Sequence, residues 1–493
     1  MIIRISALLV GVLLGASGFG REEYTRTFDK TVPVHPGEKV YLEHRLGDIT
    51  IKTHARQEAV IHAEIKVSAA DTDQAKTFAD RIEIVVEPSP VELAIRTRYP
   101  ERRNSFYGIH NVSFYVHYDV TIPETAPLEV RNSFGGVSVS GLKASSDITT
   151  SHGSLEFQDG RGAQRLENSF AGVKVGNNTG DVIVETSNGP VDASSITGAL
   201  TVRDRFASVT VAGASKGVTI VNSNGSVRVT DSGGTGSIRN SFGSVIVQSY
   251  KGDLIVNNAN GRVEAANVEG GAELNTTFGE VQFQNVRKQL SIRASNSKIS
   301  GSKTGGPLMI QNSFGPVSAS DIQGSAHVQC GNAAVSLMNI RGEAHVRTSF
   351  GMVQASDIAG LLLVENSNGP VKASNTRGAQ VTTSFAPVLL EAISGPIQVE
   401  NQNGSVDAAS AVRAGCEPIV IRTSFSPLRL RLPGNASYRV MARTSFGKIR
   451  TDFPLNVSGS ISNDGVTGVI GGGRCEMRLT NTNGTIEILK AGS

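Results

Sequence analysis

From Leu128 onward, aliphatic and polar residues alternate in short bursts, and the bursts return every 18 residues. With Phe134 as an anchor, the same slot recurs at His152, Phe170, Asn188, Phe206, Asn224, Phe242, Asn260, Phe278, Asn296, Phe314, Asn332, Phe350 and Asn368. A step of 17 then reaches Phe385 and a step of 18 reaches Asn403, after which Phe425, Phe446 and Asn483 continue the theme at looser spacing. Phe and a polar residue, nearly always Asn, alternate in the slot, so the genetic unit is two coils, 36 residues.

Within each repeat the pattern is that of strands. Three residues past the anchor stand Val137, Leu155, Val173, Val191, Val209 and their successors through Val406, aliphatic every time. Val139, Phe157, Val175 and Val211 follow two residues later, and Val130, Ile148, Leu166 and Val184 lie four before the anchor. Residues two apart share one side of a strand, so each repeat supplies two short segments facing one interior, rich in β-branched side chains that suit a pleated surface. Glycine after the anchor, often as Asn-Gly, and a second glycine ten past it mark two turns per repeat. The predicted fold is all-β: a single-chain parallel β-solenoid, or β-helix, in which Val173, Val191 and Val209 must lie in register on adjacent rungs ~4.8 Å apart.

Before Leu128 the period is lost. Strands are expected at Lys39 to Leu42, Asp48 to Lys52, Val60 to Val67, Ile82 to Val86, Glu92 to Arg98 and Val112 to Ile122, with one short helix from Asp71 to Arg81. This β-rich stretch reads as the first coils and a cap, because an open stack end exposes unpaired strand edges. The chain begins with one early cation, Arg4, an apolar run from Ile5 to Leu14 and small residues to Gly20, the pattern of a secretory signal peptide. The expected organisation is therefore signal peptide 1–20, cap and first coils 21–127, regular solenoid 128–464 and a closing coil 465–493.

Composition agrees with a solenoid rather than a large globular core, since glycine is 54 of 493 residues, aromatics are 5% and tryptophan is absent. With 47 Lys and Arg against 44 Asp and Glu, the net charge of +3 excludes a strongly basic nucleic-acid reader. Three cysteines are too few for a disulfide framework or a structural zinc site. Cys330 falls in an inward slot, and Cys416 and Cys475, about three coils apart in a straight stack, are expected to be too distant to bond.

The slot two before the anchor reads Asn132, Thr150, Asn168, Thr186, Asp204, Asn222, Asn240, Asn258 and Thr276. It should point inward, with its amides hydrogen-bonding along the stack as in a cross-β ladder. The Phe row is expected to fill the interior corner, its alternation with Asn leaving each ring space; the other arrangement puts the rings outside as an apolar stripe for a ligand.

Candidate chemistry is thin. Glu167 and Glu185 occupy successive coils and could share a proton as a glycosidase pair does, but they read as a solvated pair near Arg165 and Arg203. His327 and His345 are 18 apart and should stack, near enough to share a transition metal, yet Met309 and Leu363 fill the adjoining slots and the reading is two exposed histidines. The Gly-Gly-x-Gly-x-Asp ladder of a calcium-binding β-roll is missing, as are phosphate-loop, HExxH and GxSxG motifs. No catalytic, cofactor-binding or metal residue is therefore assigned, and no cofactor is expected.

Gly47-Asp48-Ile49-Thr50-Ile51, the units such as Ser187-Asn188-Gly189-Pro190-Val191 and the closing Thr482-Asn483-Gly484-Thr485-Ile486 resemble the bacterial putative-adhesin family of β-strand-repeat proteins. The resemblance implies a β-solenoid on an exported protein and brings no catalytic residues. The expected function is a non-enzymatic, adhesin-like wall, periplasmic, at the outer surface or extracellular, that contacts a glycan, cell-surface or envelope partner through many weak contacts. The alternatives are a polysaccharide-acting lyase or glycosidase and a purely structural envelope spacer.

Overall fold

The computed structural model describes residues 21–100, 112–412, 415–457 and 465–491; the expected signal peptide lies outside them. The described chain is nearly all β, a parallel β-solenoid with turns of roughly 18 residues and a single helix. It divides into two compact units, residues 1–161 and 162–493.

In the second unit the repeat becomes a coil of two strands whose partners lie one coil away. Val173 pairs with Val191 and Val191 with Val209, in parallel register, and all three are buried. The column four before the anchor, Leu166, Val184 and Val202, is buried likewise. Each such aliphatic contributes on the order of 2 kcal/mol by leaving water. The second strand of each coil then breaks its alternation. Val191–Ile196 reads buried, exposed, buried, exposed, exposed, buried, because Ser195 has a left-handed backbone (φ 55°) that swings Ile196 back inward. The same left-handed corner recurs at Asp231, Asn267, Asn285, Asp321, Asn339, Asp357 and Asn375, residue types that tolerate positive φ. A third interior column follows from it, including Tyr250, Val268, Ile322, Ile340 and Ile358.

At the far end, stacking order departs from sequence order. Strand Ile419–Thr423 pairs not with the next strand in the chain but with Cys475–Asn481, and Leu428–Leu432 pairs with Ile486–Lys490. Tyr438–Thr444 and Ile449–Thr451 then stack on the other side of that C-terminal coil. The expected closing coil is thus slotted inside, and the outer rung is closed by Gly465–Ile470, which runs antiparallel to Tyr438–Thr444 and carries Asn456–Val457 beyond it. The permutation also corrects the cysteine expectation. Cys416 and Cys475 sit on adjacent rungs, Cα atoms 5.9 Å apart, and form a disulfide.

The first unit uses the same device. Its strands are β1 (Glu22–Pro33), β2 (Lys39–Glu43), β3 (Ile49–His54), β4 (Glu58–Ala69), β5 (Glu83–Pro88), β6 (Glu92–Arg98), β7 (Ser113–Pro123), β8 (Leu128–Arg131), β9 (Val137–Ser140), β10 (Ser146–Thr150) and β11 (Leu155–Gln158). The β2/β3 coil lies between β8/β9 and the later-coming β6/β7 coil. On the outer rung, β5 lies antiparallel to β6 and β4 antiparallel to β7, with β1 antiparallel to β4 beyond. Helix α1 (Thr72–Ala79) starts at Asp71, whose carboxylate accepts from the Gln74 N–H at 2.8 Å, and buries Ala75 and Ala79. The sequence pattern did not show β1, because its alternation is between exposed and half-buried positions with few aliphatics.

A buried polar group marks this cap. His44 Nδ1 lies 3.0 Å from Thr97 Oγ1, the Tyr118 ring meets its edge at 5.0 Å, and Tyr118 Oη is 2.6 Å from the same Thr97 hydroxyl. Burial pushes the His44 imidazole from 6.5 down to about 4. The unfolded chain therefore takes up a proton below pH 6.5 that the folded cap refuses, and stability present above 6.5 is lost as pH falls toward 4, by roughly 3 kcal/mol. Urea unfolding at pH 7 and pH 4.5 should show His44→Gln flattening this dependence; an unchanged slope would refute the assignment. Removing the disulfide, which closes a separation of 59 residues, should cost up to about 4 kcal/mol. Hydrogen exchange of the Cys416→Ser/Cys475→Ser protein should locate the loss in residues 415–491, with the Val173 to Val209 rungs unaffected.

Candidate functional site: an exposed aromatic and amide stripe

The Phe row lies outside, contrary to the corner-filling expectation. From Phe206 through Phe242, Phe278, Phe314, Phe350, Phe385 and Phe425 to Phe446, the rings are 51% to 83% exposed. The reason is the hydrogen-bonding demand of the corner. Its backbone carbonyls need donors, which a phenyl ring cannot supply and the Asn or Thr two residues earlier can. Asn366 Nδ2 donates to Gly351 O (2.9 Å) and Gly369 O (2.8 Å), and Asn258 Nδ2 to Gly243 O (3.0 Å) and Gly261 O (3.2 Å). Thr348 and Thr423 place hydroxyls in the same way. These side chains are buried, so the inward slot was read correctly, but its recurring partners are carbonyls of its own turn and of the preceding one. Asn240 does reach Asn258 Oδ1 at 3.2 Å.

With the corner filled, the anchor side chain turns outward. The glycine after it lets the turns nest: at Gly243 (φ 113°) an added Cβ would lie 2.3 Å from the carbonyl oxygen of Gly225 one coil below. The anchors form a column in register, Asn224 beside Phe242, Phe242 beside Asn260, and Asn260 beside Phe278. Coil spacing sets the distance between successive rings at ~9.6 Å, too far to touch. Where aromatic rings occupy neighbouring rungs they do touch: Phe134 and His152 stack at 4.5 Å, and His327 and His345 meet edge to face at 4.7 Å.

At the permuted end the alternation follows space rather than sequence. In chain order the anchors run Phe425, Phe446, Asn483; in the stack, Thr423 pairs with Asn481 and Asn481 with Thr444, so the order is Phe425, Asn483, Phe446. Simple duplication of a two-coil unit does not produce this arrangement. The column before the stripe is mostly small and hydroxylated, with Ser169, Ser187, Ser223, Ser241, Thr277 and Ser313 among its members and Arg205 and Gln402 the long exceptions. Beside it an open groove of about 590 Å³ is lined by Arg239, Asn257, Asn275 and Arg293 together with Ser241 and Thr277.

The other candidates fall apart or stay small. Glu167 and Glu185 do pair across adjacent coils, but Arg165 holds Glu185 at 2.7 Å and Arg203 holds it at 3.1 Å, so the pair is an ion cluster. His327 and His345 stack as expected between Met309 and Leu363; partial burial and the neighbouring His345 lower the basicity of His327. Among the described residues, no three His, Cys, Asp or Glu side chains are grouped to hold a metal. Cys330 sits buried in the inward slot, and burial pushes its thiol up to about 12. A further ladder with a period of 18, not expected from the sequence, runs along the left-handed corner, where Asn285 Nδ2 donates to Asn267 Oδ1 (2.9 Å) and Asn339 Nδ2 to the Asp321 carboxylate (2.6 Å).

The fold and the stripe define a class, an all-β solenoid with a linear, repetitive outer face. No family model matches the chain, and no curated protein does. Among solved structures it is similar to one titled "putative cell adhesion protein" from Clostridium sporogenes, at 8% identity over 96% of this chain and 100% of that one, with a TM-score of 0.14. At that score the likeness carries no argument.

Exposure and corner bonding separate two substitutions. Phe278→Asn should change stability by less than about 0.5 kcal/mol, whereas Asn366→Leu, which strands two buried carbonyls, should cost about 1 to 3 kcal/mol. Urea melts of the two variants check both; a larger loss from Phe278→Asn would return the ring to the interior.

Proposed function

We propose that this is an exported, non-enzymatic, adhesin-like protein that holds a cell-surface, envelope or glycan partner through the Phe/Asn stripe. The observation that carries the reading is the alternation kept in space where the chain order breaks it. Core packing gives no reason for that, since the anchors lie outside the core. A long partner laid along the stripe would gain avidity from many weak contacts, with apolar rings giving area and the Ser column and the Arg239 to Arg293 groove giving hydrogen bonds. Export is supported by the leader-like residues 1–20 and by the Cys416–Cys475 disulfide, a bond at home in oxidising compartments. A polysaccharide-cutting activity has only Glu167 and Glu185 behind it, and both are engaged by arginine.

The test is binding of the purified mature chain to intact cells and isolated envelopes of its own source. Replacing Phe242, Phe278, Phe314 and Phe350 by Asn should weaken binding about tenfold or more while leaving unfolding unchanged. Undiminished binding would show that the stripe is not the contact face, and binding by neither protein would favour a structural spacer.

A further inference from the structure

We infer that the partner the stripe fits is a second copy of the same stripe, the two interdigitating as a phenylalanine zipper. This rests on the stripe being the contact face of the proposed function and names its cell-surface partner as another copy of this chain displayed there, so that envelope binding and self-association are one contact. Rings on one copy stand ~9.6 Å apart with a short Asn between them. A ring from a second copy entering at the Asn rung would lie ~4.8 Å from the ring on either side, inside the range in which aromatic pairs attract. The protein already makes contacts of that spacing within one chain, at 4.5 Å for Phe134 with His152 and 4.7 Å for His327 with His345.

Four further observations favour a copy of this chain as that partner. A tall and short alternation of one step is its own complement, so the same strip serves both sides of a two-fold contact, as an isologous dimer requires. The eight rings from Phe206 to Phe446 expose roughly 900 Å², close to the ~800 Å² per partner that a stable interface buries. The exchange of rungs at the C-terminal end keeps Phe425, Asn483 and Phe446 in step, which extends the comb by one more tooth where chain order would have put two rings side by side. The Ser and Gly columns flanking the rings leave room for close approach.

Sedimentation equilibrium of the mature chain over a concentration series should show a monomer–dimer equilibrium. Phe242→Asn, Phe278→Asn and Phe314→Asn combined should weaken it about tenfold or more, using a residue that already occupies alternate rungs. The decisive variant is Asn260→Phe with Asn296→Phe. It adds apolar surface yet fills the slots with the chain's own rings, so a zipper predicts a weaker dimer and mere stickiness a stronger one. A monomer at every concentration, or a stronger dimer from the filled slots, overturns the inference. So does a monomer whose stripe is titrated by a β-linked oligosaccharide. The two readings separate: a monomer that still loses envelope binding on Phe→Asn substitution sinks the zipper alone, and a stripe-dependent dimer whose envelope binding ignores the same substitutions sinks the envelope reading alone.

Discussion

Parallel stacking at about 4.8 Å makes every coil the hydrogen-bonding partner of the next, so any residue type repeated at one slot becomes a continuous column. The corners are where this constraint bites. On the flat segments the strands satisfy each other, but at a turn the carbonyls point into the interior and have no strand opposite. The buried Asn and Thr column answers that need, and its consequence reaches the surface. Because an amide takes the inside of the corner, the next side chain in phase is turned out, and a hydrophobic residue at that slot becomes an exposed one. The stripe is thus a by-product of corner chemistry that the sequence then elaborates with rings at alternate rungs.

Columns also set how charged side chains meet. Charged side chains at outward slots meet charges on adjacent rungs, and the result is a set of ion pairs such as Arg431 with Asp407 (2.6 Å) and Arg429 with Glu487 (2.9 Å). Glu185 is held in this way between two arginines. A wall of that kind presents paired charges that repeat from rung to rung. His44, whose basicity burial lowers, sits in the cap one rung from Asn132, in the inward slot that the regular coils fill with Asn or Thr.

Most of the architecture was legible in the sequence because a period of 18 shows itself many times over, and each repetition of an aliphatic three past the anchor constrains the same column. The strand Glu92–Arg98 and the helix Thr72–Ala79 fall where the sequence places them. What was not legible has physical causes. Direction at the anchor depends on who satisfies the corner carbonyls, and strand alternation carried through the corner gives the wrong side for Phe242. The left-handed corner at Ser195 or Asn267 breaks a period of two in a way that hydrophobicity alone does not register. The Cys416–Cys475 bond and the place of Asn483 depend on stacking order, which chain order does not encode once a coil is skipped.

The permuted ends follow from the edge problem of a parallel stack. A solenoid that simply stopped would present a full rung of unpaired N–H and C=O groups, a template for further strands. Covering that rung needs strands running the other way, and these must connect to the rung they cover. In the C-terminal region the chain therefore lays down its outer rung at Tyr438–Thr451, turns back over it with Gly465–Ile470, and returns inside to finish at Ile486–Lys490. In the N-terminal unit β2 and β3 form the first coil of the stack in chain order, β4 runs on ahead, and β6 and β7 come in between. The antiparallel strands cover part of each terminal rung and leave the side wall of the stack free of such strands. On that wall the stripe is the feature with both exposed apolar area and a spacing that repeats.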